Sequence, residues 1–461
     1  MMNESFCRYL EEAIGHENAL VAFSAFEQPA SVSVRMNPFK GGPAVDGRAV
    51  PWNPHGRILD QRPVFTLDPL FHGGAYYVQD SSSMFVGHAF RTLLRDIVKP
   101  AGRHLRVLDL CAAPGGKTTD LAASLREMYG DEFILVSNEV MKARVGVLAT
   151  NVALWGDPNV VVTSDDPRAF AALNGFFDVI VADVPCSGEG MFRKDEEAQK
   201  QWSEDNVALC EARQRRIVAD VWPSLADGGL FIYSTCTFNR MENDLNVRWI
   251  AEELSARPVL HEDVLGGMPG VLKTALGYSL VPGFVEGEGQ YCSALIKVGQ
   301  PTVSYADAVT GKKRNGTVKN RRNEGPENLQ SLFDRDVALS SRGETVIALP
   351  KHMKDDVSIL ESYLHVIASG CAVGVVKGKD LVPDADLALS HMLADGAYPV
   401  VEVDRDTALA FLHRDAVVLK DAPRGYVLIR YEGVNLGFVK NIGNRCNNLH
   451  PQNRRIRMNV K

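Results

Sequence analysis

Apolar and polar positions divide this chain into three stretches. From residue 1 to about 100, short apolar runs alternate with Pro and Gly, which predicts a small mixed α+β domain. From about 104 to 300, strand-like and helix-like segments alternate regularly. Arg106-Val107-Leu108-Asp109-Leu110 predicts a strand, followed by a turn and a helix from about Thr118. Phe133-Ile134-Leu135-Val136-Ser137 predicts the next strand, and 141–154 the next helix. Strands at 160–163 and 178–182, a helix over about 205–225 and a strand at 229–234 complete the series. Such alternation predicts an α/β fold, a parallel sheet covered by helices on both faces. A polar, basic stretch at 301–329 breaks the pattern and reads as a linker. Apolar runs resume at 345–349, 372–376 and 426–429, which predict a separate α+β domain over 330–461.

Composition changes this picture little. A length of 461 residues fits roughly three domains. No run of about 18 apolar residues occurs, so no membrane span is expected. The amino terminus lacks a basic region followed by an apolar stretch, which predicts a cytoplasmic protein without a signal peptide. The eight cysteines form no Cys-x-x-Cys pair, so no metal site is expected and the thiols should stay reduced. The net charge of −7 does not favour general nucleic-acid binding. Local patches differ. Lys312, Lys313, Arg314, Lys319, Arg321 and Arg322 cluster without an acid, and Arg454, Arg455, Arg457 and Lys461 end the chain. A solvated linker and a disordered tail would look the same.

The chemistry concentrates in two cysteines. Asp183-Val184-Pro185-Cys186-Ser187-Gly188 and Ser234-Thr235-Cys236-Thr237 each follow a predicted strand. The carboxyl ends of strands carry the chemistry in α/β sheets. Two thiols there, one beside a carboxylate, point to covalent sulfur chemistry. Lys117 would help form a thiolate if its loop folded over the same edge.

Between the first strand and its helix runs Asp109-Leu110-Cys111-Ala112-Ala113-Pro114-Gly115-Gly116-Lys117-Thr118. Small residues at a helix start let a ligand approach the backbone. The Gly-x-Gly-x-x-Gly dinucleotide fingerprint is absent. A phosphate-binding loop would need glycine where Cys111 stands, and Pro114 removes an N–H donor. Glu139, after the second strand, is placed to accept hydrogen bonds from ribose hydroxyls. An adenosyl ligand without phosphates suits this combination, and S-adenosylmethionine is the obvious one.

A thiolate, a carboxyl group and a methyl donor together suit methylation at carbon 5 of cytosine. Sulfur addition at carbon 6 makes carbon 5 nucleophilic, which divides one hard step into easier ones. Asp183 is placed to hydrogen-bond the base. Proton donation to nitrogen 3 would require burial to keep that carboxyl protonated.

At these residues the chain resembles the Sun-type RNA (cytosine-5)-methyltransferases. The cofactor loop 109–118 and the motifs at 183–190 and 233–237 match that family in order. Glu189-Gly190-Met191-Phe192-Arg193-Lys194-Asp195 and the added carboxyl-terminal region resemble its bacterial small-subunit ribosomal RNA methyltransferase F group. The resemblance implies a Rossmann-like methyltransferase core over 101–300. It also implies an RNA-contacting domain over 1–100 and a PUA-like RNA-binding domain over 330–461. It makes Cys236 the nucleophile and Cys186 the residue that assists release; sequence chemistry alone leaves those two interchangeable. Asp183 and Lys117 would contact the base. Cys111, Ala112, Ala113, Pro114, Gly115, Gly116, Lys117, Glu139 and Asp183 would hold S-adenosylmethionine, with Asp166, or its neighbour Asp165, near the adenine. Arg35-Met36-Asn37 and 77–84 resemble RNA-contacting and cofactor-flanking segments. The implied substrate is ribosomal RNA, with transfer RNA or a non-catalytic role in ribosome assembly as alternatives. A monomer is expected.

Overall fold

The computed structural model describes residues 3–95, 102–260, 265–299, 329–378 and 380–459. The basic cluster 312–322 and Lys461 lie outside the described residues.

The chain opens with helices α1 (Glu4–Ile14) and α2 (His16–Phe26). Asn3 caps α1 by accepting from the N–H groups of Ser5 and Phe6. Strands β1 (Val32–Met36), β2 (Arg48–Val50), β3 (Asn53–Leu59) and β4 (Tyr76–Val78) form a sheet in the order β2-β3-β1-β4. Helices α3 (Pro69–His72) and α4 (Phe85–Leu94) flank β4 in the chain. The apolar face of α4 (Phe85, Val86, Ala89, Phe90, Leu93) is buried in the same core as β5 (Leu105–Asp109). Through α4, Val50, Trp52 and Ile58 this stretch packs onto the central core.

After β5 come α5 (Gly116–Tyr129), β6 (Phe133–Asn138), α6 (Lys142–Trp155), β7 (Val160–Thr163) and β8 (Phe177–Asp183). Then follow α7 (Glu196–Gln201), α8 (Glu204–Val221), β9 (Leu225–Thr235) and α9 (Asp244–Glu253). Every residue of β6 and β7 is buried, as expected for parallel strands covered on both faces. Strands β10 (Ala256–Pro258), β11 (Val271–Lys273), β12 (Tyr278–Leu280) and β13 (Gln290–Lys297) add an antiparallel flank. The sheet order runs β11-β12-β13-β9-β8-β5-β6-β7, with β10 beside β13. Strands β9, β8, β5, β6 and β7 are parallel.

The third stretch holds β14 (Val337–Arg342), β15 (Thr345–Pro350), α10 (Lys354–Tyr363), β16 (Val366–Ser369), β17 (Cys371–Lys377) and β18 (Asp380–Pro383). It continues with α11 (Ala385–Leu389), β19 (Val400–Glu402), α12 (Arg405–His413), β20 (Gly425–Tyr431), β21 (Val434–Asn441) and β22 (Cys446–Asn448). Two four-stranded sheets result, β14-β15-β17-β18 and β19-β20-β21-β22. The sequence predicts an α+β domain here, and part of it also joins the central core. Strand β16 pairs antiparallel with β7 and extends the central sheet. Val357 and Leu360 of α10 enter a core shared with β6 and β8. Without β16 the outer side of β7 would be an unpaired sheet edge. The described residues near 456 are held to the fold: Ile456 is buried, and Arg454 pairs with Asp386 at 2.7 Å. Arg455 and Arg457 are exposed.

Candidate active site

Strands β6 and β7 lie on one side of β5, and β8 and β9 on the other. The connection reverses between β5 and β8, and in α/β sheets ligands bind in the crevice outside the carboxyl ends of the strands at such a point. The sequence-predicted segments follow β5 (111–117), β6 (Glu139), β7 (Asp166), β8 (Asp183, Cys186) and β9 (Cys236). All of them emerge at that edge.

Gly115 has φ +113°, a left-handed conformation that glycine adopts freely, and it stands where α5 needs its N-cap. No side chain caps this helix. The loop is pinned from α6: Arg144 donates to the Ala113 carbonyl at 2.5 Å and Asn151 to the Pro114 carbonyl at 2.8 Å. Ala112 N–H donates to the Asn138 carbonyl at 2.8 Å. Beneath the loop Asp109 is fully buried. Its Oδ2 accepts from Thr118 at 2.6 Å, while its Oδ1 has no partner. Burial pushes its carboxyl up to about 7; the Thr118 hydrogen bond opposes this and the Asp183 charge adds to it. Burial, with the Asp109 charge, likewise pushes the Cys111 thiol well up.

Glu139 is buried and accepts from the Met141 N–H at 2.8 Å. Beside it Val140 and Met141 expose about half of their surface (52% and 53%). A helix N-terminus without a side-chain cap, an unpartnered carboxylate oxygen, a buried acid and an apolar shelf fit an adenosyl ligand with a charged amino-acid tail. Asp166 is exposed and caps a 3-10 turn, accepting from Arg168 N–H at 3.1 Å. Asp165 is tied instead to the third stretch, accepting from His365 N–H at 2.8 Å.

The reacting groups meet at the other half of the crevice. Lys117 Nζ lies 2.8 Å from Asp183 Oδ2. Asp183 Oδ1 accepts from Ser234 Oγ at 2.7 Å and from Gln290 Nε2 at 3.1 Å. Three donors therefore converge on this carboxylate, one on Oδ2 and two on Oδ1. Burial opposes the Lys117 charge, but Asp183 and the Cys236 sulfur outweigh it and raise the ammonium above its ordinary range. A cation held this firmly is turned to Asp183, not to the loop as a phosphate-binding lysine would be. The sulfurs of Cys186 and Cys236 are 3.1 Å apart. The hydrogen bond to Cys236, then burial, pushes the Cys186 thiol far up. Either sulfur can donate to the other in this contact.

Ser234 lies inside a motif visible in the sequence, although its contact with Asp183 is not. Gln290 carries no such signal. It reaches the site from β13, which pairs with β9, and also donates to the Thr235 carbonyl at 2.9 Å.

The segment Arg35-Met36-Asn37 departs from its implied RNA contact. Arg35 is 0% and Asn37 3% exposed. Arg35 donates to Gln79 (2.8 Å), to the Gly116 carbonyl (3.1 Å) and to Thr119 (2.5 Å), and stacks over Trp155. It bolts the amino-terminal sheet to the first turn of α5.

Family models match three parts of the chain: the N-terminal domain of 16S rRNA methyltransferase RsmF at 2–81, 16S rRNA methyltransferase RsmB/F at 97–296, and the methyltransferase RsmF PUA domain at 398–456. Ribosomal RNA small subunit methyltransferase F of Shewanella loihica is 31% identical over 393 residues, covering 82% of this chain and 77% of that protein. The chain belongs to the ribosomal RNA small subunit methyltransferase F family. It is a methyltransferase that uses S-adenosylmethionine. The relative of the same description from Enterobacter sp. is 28% identical and covers 97% of this chain and 95% of its own length. Two solved structures share the fold. A methyltransferase homolog from Pyrococcus horikoshii aligns at TM-score 0.51 and 24% identity, over 64% of this chain and 95% of that one. PH0851 aligns at TM-score 0.55 and 22% identity, over 64% of this chain and 66% of that one. Among the described residues no cluster of metal ligands occurs, and no helix is long and apolar enough to cross a membrane.

Proposed function

We propose that the protein methylates carbon 5 of cytosine in small-subunit ribosomal RNA through a transient bond between Cys236 and the base. The observation that carries this reading is the pair of sulfurs 3.1 Å apart beside the Lys117–Asp183 ion pair. In this reading residues 111–117 and Glu139 hold S-adenosylmethionine, Val140 and Met141 pack on its adenine, and Asp166 lies near the adenine edge. When bound, S-adenosylmethionine supplies an electrophilic methyl group.

Cys236 attacks as its thiolate. That sulfur adds to carbon 6, and the ring electrons move to carbon 5, which becomes the nucleophile for the methyl group. Asp183 accepts from the exocyclic amino group. A uracil would turn an oxygen toward the same carboxylate, so this contact selects cytosine. Water takes the carbon 5 proton, the C–H electron pair re-forms the double bond between carbons 5 and 6, and the bond from carbon 6 to the Cys236 sulfur breaks with its electrons on sulfur. The Cys186 thiol donates to that departing sulfur and eases release.

The target base must leave its stack to reach these groups, at a cost of a few kcal/mol that is least in single-stranded or bulged RNA. We assign site selection to residues 1–100 and 330–461 on either side of a catalytic segment 101–300, with 301–329 as the connection. The PUA-like sheet β19–β22 carries exposed Arg424 and Arg445 for backbone contact. The test is bisulfite sequencing of 16S ribosomal RNA from a deletion strain. One or more protected cytosines should become reactive and regain protection when the gene returns. Loss of protection in transfer RNA alone would move the assignment to that substrate.

A further inference from the structure

The two cysteine loops are held together by carboxylates that the reaction itself does not use. Glu189 follows Cys186 by three residues, in a 3-10 turn over Glu189–Met191. Its Oε2 accepts from the backbone N–H groups of Phe238 (2.6 Å) and Asn239 (3.1 Å), in the loop after Cys236. Glu242 follows Cys236 by six residues and reaches the opposite way. Its Oε2 accepts from the Ser187 N–H (3.0 Å), the residue next to Cys186, and from Gln214 (2.7 Å). Asn239 joins the two acids, its Nδ2 lying 2.9 Å from Glu189 Oε1 and 2.8 Å from Glu242 Oε1. Ser187 Oγ and Thr237 Oγ1 add a direct bridge at 3.1 Å.

Both acids are buried, at 1% and 0% exposure, and among the described residues neither is ion-paired. Two unpaired carboxylates in one buried site are costly for stability alone. Burial, with the Glu189 charge adding to it, pushes the Glu242 carboxyl up to about 7. Each acid satisfies loop N–H groups that no helix or strand provides for. Space is tight at the same point. Gly190 N–H donates to the Cys236 carbonyl at 2.8 Å, and a Cβ at Gly190 would sit 2.9 Å from that oxygen.

We propose that Glu189 and Glu242 are positioning residues, a reciprocal clamp in which each cysteine loop grips the backbone of the other and so sets the separation of the two sulfurs. The inference rests on the two-cysteine reading above, because only there does the separation matter to turnover. Neither acid touches the substrate. The clamp therefore acts on kcat and leaves cofactor and RNA binding alone.

The test reads the geometry without relying on activity. The reduced full-length protein is treated with diamide, which accepts two electrons and two protons as the sulfurs of Cys186 and Cys236 join. Mass spectrometry follows that disulfide. In Glu189→Gln and Glu242→Gln an NH2 group meets donors the carboxylate had accepted, so one side of the clamp opens. Both variants should form the disulfide at least tenfold more slowly than the unaltered protein. Removing a negative charge alone would favour the Cys186 thiolate and speed the reaction, so slowing reports geometry. In methyl-transfer assays kcat should fall at least tenfold with both KM values unchanged. Should a glutamine variant not fold, Thr237→Val, which removes only the hydroxyl bridge, should still slow the disulfide severalfold. Disulfide formation at the unaltered rate in the variants that fold overturns the clamp, whatever their turnover. Slow disulfide formation in a protein that methylates no cytosine upholds the clamp and defeats the functional reading instead.

Discussion

Cys186 and Cys236, fifty residues apart in the chain, bring their sulfurs to 3.1 Å at the ends of adjacent parallel strands. The neighbours of the pair give it a direction. The hydrogen bond to Cys236, then burial, pushes the Cys186 thiol far up, and the Cys236 sulfur, after Asp183, helps raise the Lys117 ammonium.

That asymmetry predicts different failures. Cys236→Ala should lower methyl transfer by about a thousandfold or more, the scale of removing a covalent nucleophile. Cys186→Ala should retain addition and stall at release, leaving an RNA–protein adduct that survives denaturing gel electrophoresis. An adduct with Cys236→Ala and none with Cys186→Ala would reverse the two roles.

Lys117 is half-buried with Asp183, and removing one partner leaves the other charge without its counter-ion. Lys117→Met should cost about 3 kcal/mol of stability by that argument, read by urea unfolding.

Asp109 carries a folded-state value of about 7 against 3.8 for the free side chain. Between those values the folded protein binds the extra proton, so this group makes stability fall as pH rises from about 4 to about 7. Asp109→Asn removes that loss. The variant's melting temperature should overtake that of the unaltered protein across this interval and hold a constant lead above pH 7, worth about 1–3 kcal/mol. Glu242, with the same sign, should leave part of the slope in the variant. A lead that shrank with rising pH would contradict the assignment.

Arg35 is the bolt between the amino-terminal sheet and the first turn of α5. Arg35→Ala leaves buried Gln79 and Thr119 without their donor and should cost about 3 kcal/mol. Because the Gly116 carbonyl is released as well, S-adenosylmethionine should bind severalfold more weakly by calorimetry. Arg35→Lys should not restore either property, since an ammonium cannot reproduce the planar fork. An alanine variant that lost RNA affinity alone would return this residue to the RNA surface.

Much of the molecule is determined by sequence alone, because the signals are local. Apolar period marks β5 to β9 and their helices, and the residues after each strand declare the crevice segments at 111–117, 183–190 and 233–237. What the pattern cannot carry is partnership across the chain. A buried Arg35 and an exposed one look alike in a motif. Gln290 reaches Asp183 across 107 residues, and β16 crosses some 200 to pair with β7. Strand pairing is non-directional in sequence: any edge with free N–H and C=O groups accepts any apolar strand of suitable length. Packing of the whole sheet chooses the partner, and with it the distances on which the chemistry depends.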